Sequence, residues 1–228
     1  MSYLGDFVHL FYPLNCAACG ASLFRQEKAL CLRCYMKLPR AQLHDQHDNV
    51  IERLFWGRAD VQMATAFLRM SRHGMVHRMI HELKYRDNQP VGEQLGKMFA
   101  LELKESRRMN AFDMVVPVPL HPRKEKMRGY NQCHSIARGI QSVLECDVDT
   151  THLVRTAFSS SQTRKGRYER WQNVGTLFEV KDADIFRDRK ILLIDDVITT
   201  GATLEACAQV LNAIGGVQLA VGALAYPV

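Results

Sequence analysis

Residues 191–203 constrain this chain more than any other stretch. Ile191, Leu192, Leu193 and Ile194 run directly into two adjacent carboxylates, Asp195 and Asp196. Thr199, Thr200, Gly201, Ala202 and Thr203 follow, and Leu204, Cys207, Ala208 and Leu211 then recur at helical spacing. A short continuous apolar run reads as a strand buried on both faces, as in a parallel sheet. The segment is therefore strand, acidic edge, loop and helix, and open α/β sheets bind ligands at the carboxyl ends of their strands. Ionised carboxylates only accept hydrogen bonds, so an adjacent pair suits the vicinal hydroxyls of a ribose. Gly201 permits close backbone approach. The loop N–H groups, the hydroxyls of Thr199, Thr200 and Thr203 and the start of the next helix favour a phosphate. A ribose phosphate fits both halves; the plainer alternative is a strand-to-helix turn with two solvated aspartates.

At these residues the chain resembles phosphoribosyltransferases of the type I fold, which carry an apolar strand, two acidic residues and a Thr-rich loop. The resemblance implies an α/β fold with a parallel sheet flanked by helices. It also implies phosphoribosyl pyrophosphate (PRPP) as ligand.

Cysteine spacing adds a second feature. Cys16 and Cys19 form one C-x-x-C and Cys31 and Cys34 another, with Gly20 after the first pair. Four thiolates at such spacing close a tetrahedral zinc site, structural because protein fills every position. The segment is too short for a core of its own, so metal ligation would supply its folding energy. A disulfide framework is the alternative, and it suits a secreted chain better. Cys133, Cys146 and Cys207 stand apart and read as packed small hydrophobes.

With 228 residues and 47% hydrophobic content, the chain has room for one α/β domain and a small appendage. It has no long uncharged apolar run of the kind a membrane span needs, and no basic segment leading into an apolar one at its start. A cytoplasmic location is expected. The formal charge of +6 and pI near 9.0 favour anionic partners, with simple solubility as the bland reading.

The chain divides into a zinc ribbon at 1–40, a linker at 41–58 and the α/β domain at 59–228. The polar stretch 42–49 carries His44 and His47, which read as solvated linker rather than metal ligands. Residues 59–69 read as a strand with Ala64, Ala66 and Leu68 on one face. Residues 72–85 read as a helix through Val76, Met79, Ile80 and Leu83. A second helix at 91–105 places Leu95, Met98, Phe99 and Leu101 on its apolar face. Met114, Val115 and Val116 form a short buried strand, which the prolines from Pro117 to Pro122 end abruptly. Arg123, Lys124, Lys126 and Arg128 then crowd together with only Glu125 opposing. This suits a pyrophosphate, or equally a solvated basic loop. A helix with Ile136, Ala137 and Ile140 follows.

Further motifs resemble the ComF family, which includes GntX-type proteins. They are Lys84 and Tyr85; Pro117, Val118, Pro119, Leu120 and His121; Arg128, Gly129, Tyr130, Asn131 and Gln132; Arg155 and Thr156; Gln162, Arg167, Arg170 and Asn173. That family pairs a four-cysteine zinc ribbon with a phosphoribosyltransferase domain and is associated with DNA uptake in natural transformation. The resemblance implies that Asp195 and Asp196 hold the ribose hydroxyls of PRPP and that Thr199, Thr200, Gly201, Ala202 and Thr203 cradle its 5′-phosphate. Val118, Pro119, Leu120 and His121 would form a pyrophosphate loop of the kind that often holds a strained peptide bond. Lys84, Arg123 and Arg128 are its candidate cations. Magnesium would arrive with PRPP. Residues 155–173, with Arg155, Arg164, Lys165, Arg167 and Arg170, would form a basic hood.

The implied reaction is displacement of pyrophosphate from the anomeric carbon by a nitrogen nucleophile. The protein contributes positioning and electrostatic stabilisation. His121 and His134 are near basic segments, but neither is marked as a general base, and the acceptor is not legible. Two other functions fit the same residues. One is a non-catalytic PRPP or nucleotide sensor. The other is a competence factor whose basic faces meet single-stranded DNA or DNA-uptake proteins, with Tyr130, Tyr168 and Trp171 available for stacking. Of these, Tyr130 reads as core.

Overall fold

The computed structural model describes residues 14–108, 111–156 and 177–228. Of the expected hood, Arg155 and Thr156 are described. Gln162, Arg164, Lys165, Arg167, Tyr168, Arg170, Trp171 and Asn173 lie outside the described residues. In chain order the elements are α1 (Leu32–Met36), a 3-10 turn (Glu52–Phe55), β1 (Met63–Met70), α2 (Met75–Tyr85) and α3 (Gln89–Glu105). β2 (Met114–Pro117), α4 (Pro122–Arg128), α5 (Gln132–Leu144), β3 (Asp147–Val148), β4 (Leu153–Arg155) and β5 (Phe178–Val180) follow. β6 (Lys190–Val197), α6 (Ala202–Asn212) and β7 (Gln218–Pro227) complete them.

The apolar run at 191–194 becomes the centre of a five-stranded sheet, in the order β1-β7-β6-β2-β3. Every pairing in it is parallel, while β4 and β5 form a separate antiparallel ladder. Successive side chains of a strand point to opposite faces. Leu192 and Ile194 accordingly enter a core shared with α2, α3 and α5, and Ile191 and Leu193 enter a second core with α6. All four are fully buried, so the expected α/β architecture, a parallel sheet flanked by helices, is what the chain adopts. The helices α3 and α5 approach backbone to backbone at two glycines. A Cβ on Gly96 would lie 2.3 Å from the carbonyl oxygen of Ile136, and one on Gly139 would lie 2.2 Å from that of Glu93.

Several local expectations change. The helix expected from residue 72 begins at Met75, after Gly74 as N-cap, because His73 has a positive φ of 58°. On α3, Leu101 is 51% exposed, and Leu103 takes the inward place. At about 100° per residue, Leu101 lies on the far side of the helix from Phe99, whereas Leu103, one turn on, lies beneath it. The basic stretch after Pro122 is a short helix rather than a loop. Pro122 opens it with a preset φ, and His121 Nδ1 caps it by accepting the Arg123 N–H at 3.1 Å.

Residues 41–58 are not a solvated linker. Ala41, Leu43, Ile51 and Phe55 are buried in the second core. Asn49 is buried too, its side-chain amide donating to the carbonyls of Leu43, Gln46 and Ala64. The N–H groups of Ala41 and Arg69 bond to the carbonyls of Phe67 and Pro39, which ties the segment to β1. The cysteine segment likewise joins the first core through Cys16, Ala17, Ala18, Ala29, Leu30, Cys34 and Leu38. Arg78 Nε on α2 donates to Ala18 O at 2.6 Å, and the Ala29 N–H donates to Gln94 Oε1 at 3.1 Å. Packing therefore draws no boundary at residue 40 or 58. Among the described residues no helix is long and apolar enough to cross a membrane.

Candidate functional site

The alternation that builds the two cores also separates the two aspartates. Asp196 follows Leu192 and Ile194 onto the side of α2 and α5. There Lys84 Nζ lies 2.9 Å from its Oδ1, and Gln132 Nε2 donates to its Oδ2 at 2.7 Å. Both oxygens are engaged and the side chain is 5% exposed. Asp195 is half-buried. Its Oδ1 accepts the Asp196 N–H at 2.8 Å and lies 3.5 Å from Cys133 Sγ. One oxygen from each of Asp195 and Asp196 and that sulfur lie within 4.8 Å of one another. Burial, and then the neighbouring Asp196, push the Asp195 carboxyl up to about 7. Burial and the same carboxylates push the Cys133 thiol upward as well. Of the pair, Asp195 is the one that lines the adjoining cavity of about 40 Å³, together with residues of the Thr-rich loop.

That loop leads straight into the start of α6. Thr199 and Thr200 are exposed at the end of β6. Gly201 turns the chain with φ 76° at the N-cap of α6, and the Ala202 N–H at the helix start donates to Thr200 Oγ1 at 3.5 Å. The loop is braced from behind by the supposed linker. A Cβ on Gly201 would lie 3.4 Å from Leu54 Cβ and 3.6 Å from Phe55 Cζ. Arg58 Nη1 donates to Thr200 O at 3.4 Å, and its Nη2 pairs with Glu205 of α6.

On the other side, β2 ends at Pro117. The Val118 N–H bonds to Ile194 O at 2.9 Å, and Val118 O accepts from Asn131 Nδ2 at 3.0 Å. Both backbone groups of Val118 are thus committed, and Pro119 has no N–H. Leu120 and His121 carry the remaining backbone donors of the expected pyrophosphate loop. The loop shows neither a cis peptide bond nor a positive φ.

Of the expected cations, Lys84 is at the centre, bound to Asp196. Arg128 Nη1 donates to Gln132 Oε1 at 3.0 Å, and its guanidinium lies 5.3 Å from the centre of the Tyr85 ring. Arg123 is on the exposed start of α4, and among the described residues no contact joins it to the aspartates. Tyr130 is half-buried, its hydroxyl donating to Leu83 O. Burial is the main cause that pushes its pKa up to about 12. His121 acts as a cap, and burial lowers the pKa of His134.

The sequence marks Gln132 only as a motif residue and Cys133 only as packing, and it places neither beside the aspartates. Asn131 caps α5 by accepting the Cys133 N–H at 3.0 Å, which aims the first residues of that helix at β6. The cap was readable from the Asn-Gln step, but its target across 64 residues was not.

The second site is the cysteine cluster. The sulfurs of Cys16, Cys19, Cys31 and Cys34 lie within 4.8 Å of one another, and Cys19 and Cys31 are 3.8 Å apart. A tetrahedron with metal–sulfur bonds of about 2.3 Å has edges of about 3.8 Å. The thiols are free, so the donor set fits a zinc ion and no disulfide joins it. Burial opposes the Cys16 thiolate, but the N–H groups of Cys31, Ala18 and Cys19 outweigh it and bring the pKa down to about 7.

No family model matches the chain. It is 29% identical over 146 residues to DNA utilization protein YhgH of Escherichia coli (strain K12), a match covering 62% of this chain and 63% of that protein. It is 25% identical over 151 residues to Competence protein F of Haemophilus influenzae, covering 64% and 66%. With Competence protein ComFC of Bacillus subtilis it shares 34% over 99 residues, covering 43% and 38%. The match thus takes in less than two thirds of each relative's own length. Among solved structures, the glutamine PRPP amidotransferase of B. subtilis complexed with ADP and GMP is 18% identical, with TM-score 0.43, over 61% of this chain and 30% of that one. Adenine phosphoribosyltransferase of Saccharomyces cerevisiae is 17% identical, with TM-score 0.38, over 60% and 68%. The resemblance carried by the sequence motifs is borne out: the chain has homologues named for competence and DNA utilization.

The raised pKa of Asp195 has a measurable consequence. Its folded value of about 7 stands above the ordinary 3.8, so its contribution to stability is fully present below the lower value and is lost as pH rises through the upper one. Asp195→Asn removes this loss. Relative to wild type, the variant should gain about 1–2 kcal/mol between about pH 4.5 and about pH 8, after discounting for solvent access. That corresponds to a rise of about 2–8 °C in the Tm difference. A Tm difference that stays flat with pH would show that Asp195 is ordinarily ionised.

Proposed function

We propose that the chain is a ComF-type phosphoribosyltransferase-domain protein. It binds PRPP with magnesium at the edge formed by Asp195 and residues 199–203. A structural zinc sits in the cysteine ribbon at 1–40. The protein acts in the cytoplasm, in the handling of DNA during uptake. The observation that carries the reading is the cavity at the start of α6, where one carboxylate and a Thr-rich turn face the same space. A phosphate there meets backbone N–H groups and hydroxyls, while Asp195 accepts from a ribose hydroxyl. Asp196 acts mainly by holding Lys84 and Gln132 in place. The backbone donors of Leu120 and His121, with Lys84 and Arg128, serve the pyrophosphate.

Bound magnesium supplies charge neutralisation on pyrophosphate oxygens. The chain's own residues fix the ribose and stabilise the leaving group as a nitrogen nucleophile attacks the anomeric carbon. The names of the relatives, which refer to competence and DNA utilization, support the cellular setting.

Calorimetry with PRPP and magnesium tests the site. Wild type should bind, and Asp195→Asn should weaken binding by about tenfold or more, about 1.4 kcal/mol. A well-folded wild type without binding, or an unchanged affinity in the variant, would sink the assignment.

Metal analysis tests the ribbon. The purified protein should carry about one zinc per chain, and Cys16→Ser should lose it. Because the cysteine segment shares a core with α2 and α3, chelation should lower the melting temperature of the whole chain. Loss of metal with an unchanged melting curve would mean that the ribbon is energetically separate.

A further inference from the structure

One side chain outside the candidate site ties three of its supports together. Arg58 directs its Nη1 to Leu54 O at 3.1 Å and to Thr200 O at 3.4 Å, and its Nη2 pairs with Glu205 Oε2. A single guanidinium thus joins the 3-10 turn, the Thr-rich loop and the first turn of α6. The backbone around it is fixed to the same helix. Gln209 Nε2 donates to Arg58 O at 3.3 Å, and Asn212 Nδ2 donates to Asp60 O at 2.9 Å.

The contact with Thr200 O bears on what the loop can offer a ligand. The Thr200–Gly201 peptide is trans, so its C=O and N–H point in opposite directions. With the oxygen drawn to Arg58, the Gly201 N–H is turned away from the guanidinium. Among the described residues, the cavity beside Asp195 is walled by Asp195 and residues 197–204, and none of residues 54–58 borders it. Glycine accepts positive and negative φ about equally, so without a restraint this peptide could turn over at little cost. Its carbonyl oxygen would then stand where the N–H had been, and an oxygen repels a phosphate that an N–H would bind. Glu205 gives the same arginine a second task. It lies in the first turn of α6, close to the loop, and its pairing with Arg58 offsets a negative charge there.

We propose, building on the PRPP reading above, that Arg58 is a positioning residue for the 5′-phosphate: it holds the Thr200–Gly201 peptide in the orientation that presents the N–H to the anion. Arg58 acts through the loop backbone and touches no ligand itself. The planar fork of arginine is what the role requires, because one flexible ammonium cannot span the two carbonyls and the carboxylate in the same way. The side chain is 43% exposed, so replacing it opens no cavity in the core.

Ribose 5-phosphate binding to the full chain is measured by calorimetry for wild type, Arg58→Ala and Arg58→Lys, with a thermal melt of each. Thr200–Gly201 is the one Thr–Gly step in the sequence. Threonine labelled with carbon-13 at its carbonyl and glycine labelled with nitrogen-15 therefore single out the Gly201 amide by NMR. In wild type that signal should shift as ribose 5-phosphate is added. Both variants should bind about tenfold more weakly, melt close to wild type, and show the unliganded Gly201 signal displaced from its wild-type position. Arg58→Lys keeps a positive charge opposite Glu205, so its failure to restore affinity assigns the effect to peptide orientation rather than to charge. Should Arg58→Ala fold poorly, Arg58→Lys alone decides. Wild-type affinity with an unmoved Gly201 signal in the variants, or full rescue by lysine, overturns the positioning role and leaves the PRPP site standing. Absence of binding by well-folded wild type overturns the PRPP reading and the positioning role with it.

Discussion

The ion pair between Lys84 and Asp196 is the point on which the site depends. It draws the end of α2 onto the end of β6, and Gln132 fixes the start of α5 to the same carboxylate. Buried pairs are poor sources of net stability, because desolvation offsets much of the attraction. Breaking one by removing a partner is costly for the same reason, since the remaining charge is left in a poor solvent. This pair is satisfied on both sides of the carboxylate, so its role is positional. Through Gln132 it reaches Arg128, and through Asn131 it reaches Val118 at the end of β2. The ends of β2 and β6 are thus tied through one helix start.

A second constraint acts from outside the sheet. The Thr-rich loop after β6 is short and largely exposed, and it turns at a glycine with positive φ. Leu54 and Phe55 pack against that glycine, and Arg58 grips both the loop carbonyl and Glu205. The cysteine segment braces α2 from the other end through Arg78 and Ala18. A metal in the ribbon would therefore stiffen the same helix that presents Lys84. The segments before β1 serve the sheet as supports, and their burial reflects that.

The parts legible in the sequence were those set by local periodicity. The strand at 191–194, the helix with Val76 and Leu83, and the turn at Gly201 all follow from spacing and from the chemistry of single residues. The cysteine cluster follows from its spacing as well. What escaped was decided by distant partners. An adjacent Asp-Asp pair reads as one acceptor surface. Strand alternation instead turns Asp196 to Lys84, more than a hundred residues earlier in the chain, and leaves Asp195 at the cavity. Residues 42–49 look solvated because they are polar, yet Asn49 uses its amide to stitch three carbonyls together inside the protein. Leu101 reads as inward in the sequence, yet helical phase carries it away from Phe99 and puts Leu103 there instead. Cys133 has no local partner in sequence, and its approach to Asp195 exists only once α5 lies against β6.

A crystal structure of the protein with PRPP and magnesium tests the central claim most directly. The account predicts the 5′-phosphate on the backbone of residues 199–203, a ribose hydroxyl on Asp195, and Lys84 still in contact with Asp196. A phosphate seated instead on the exposed arginines and lysines of α4, with the Thr-rich loop empty, would contradict it.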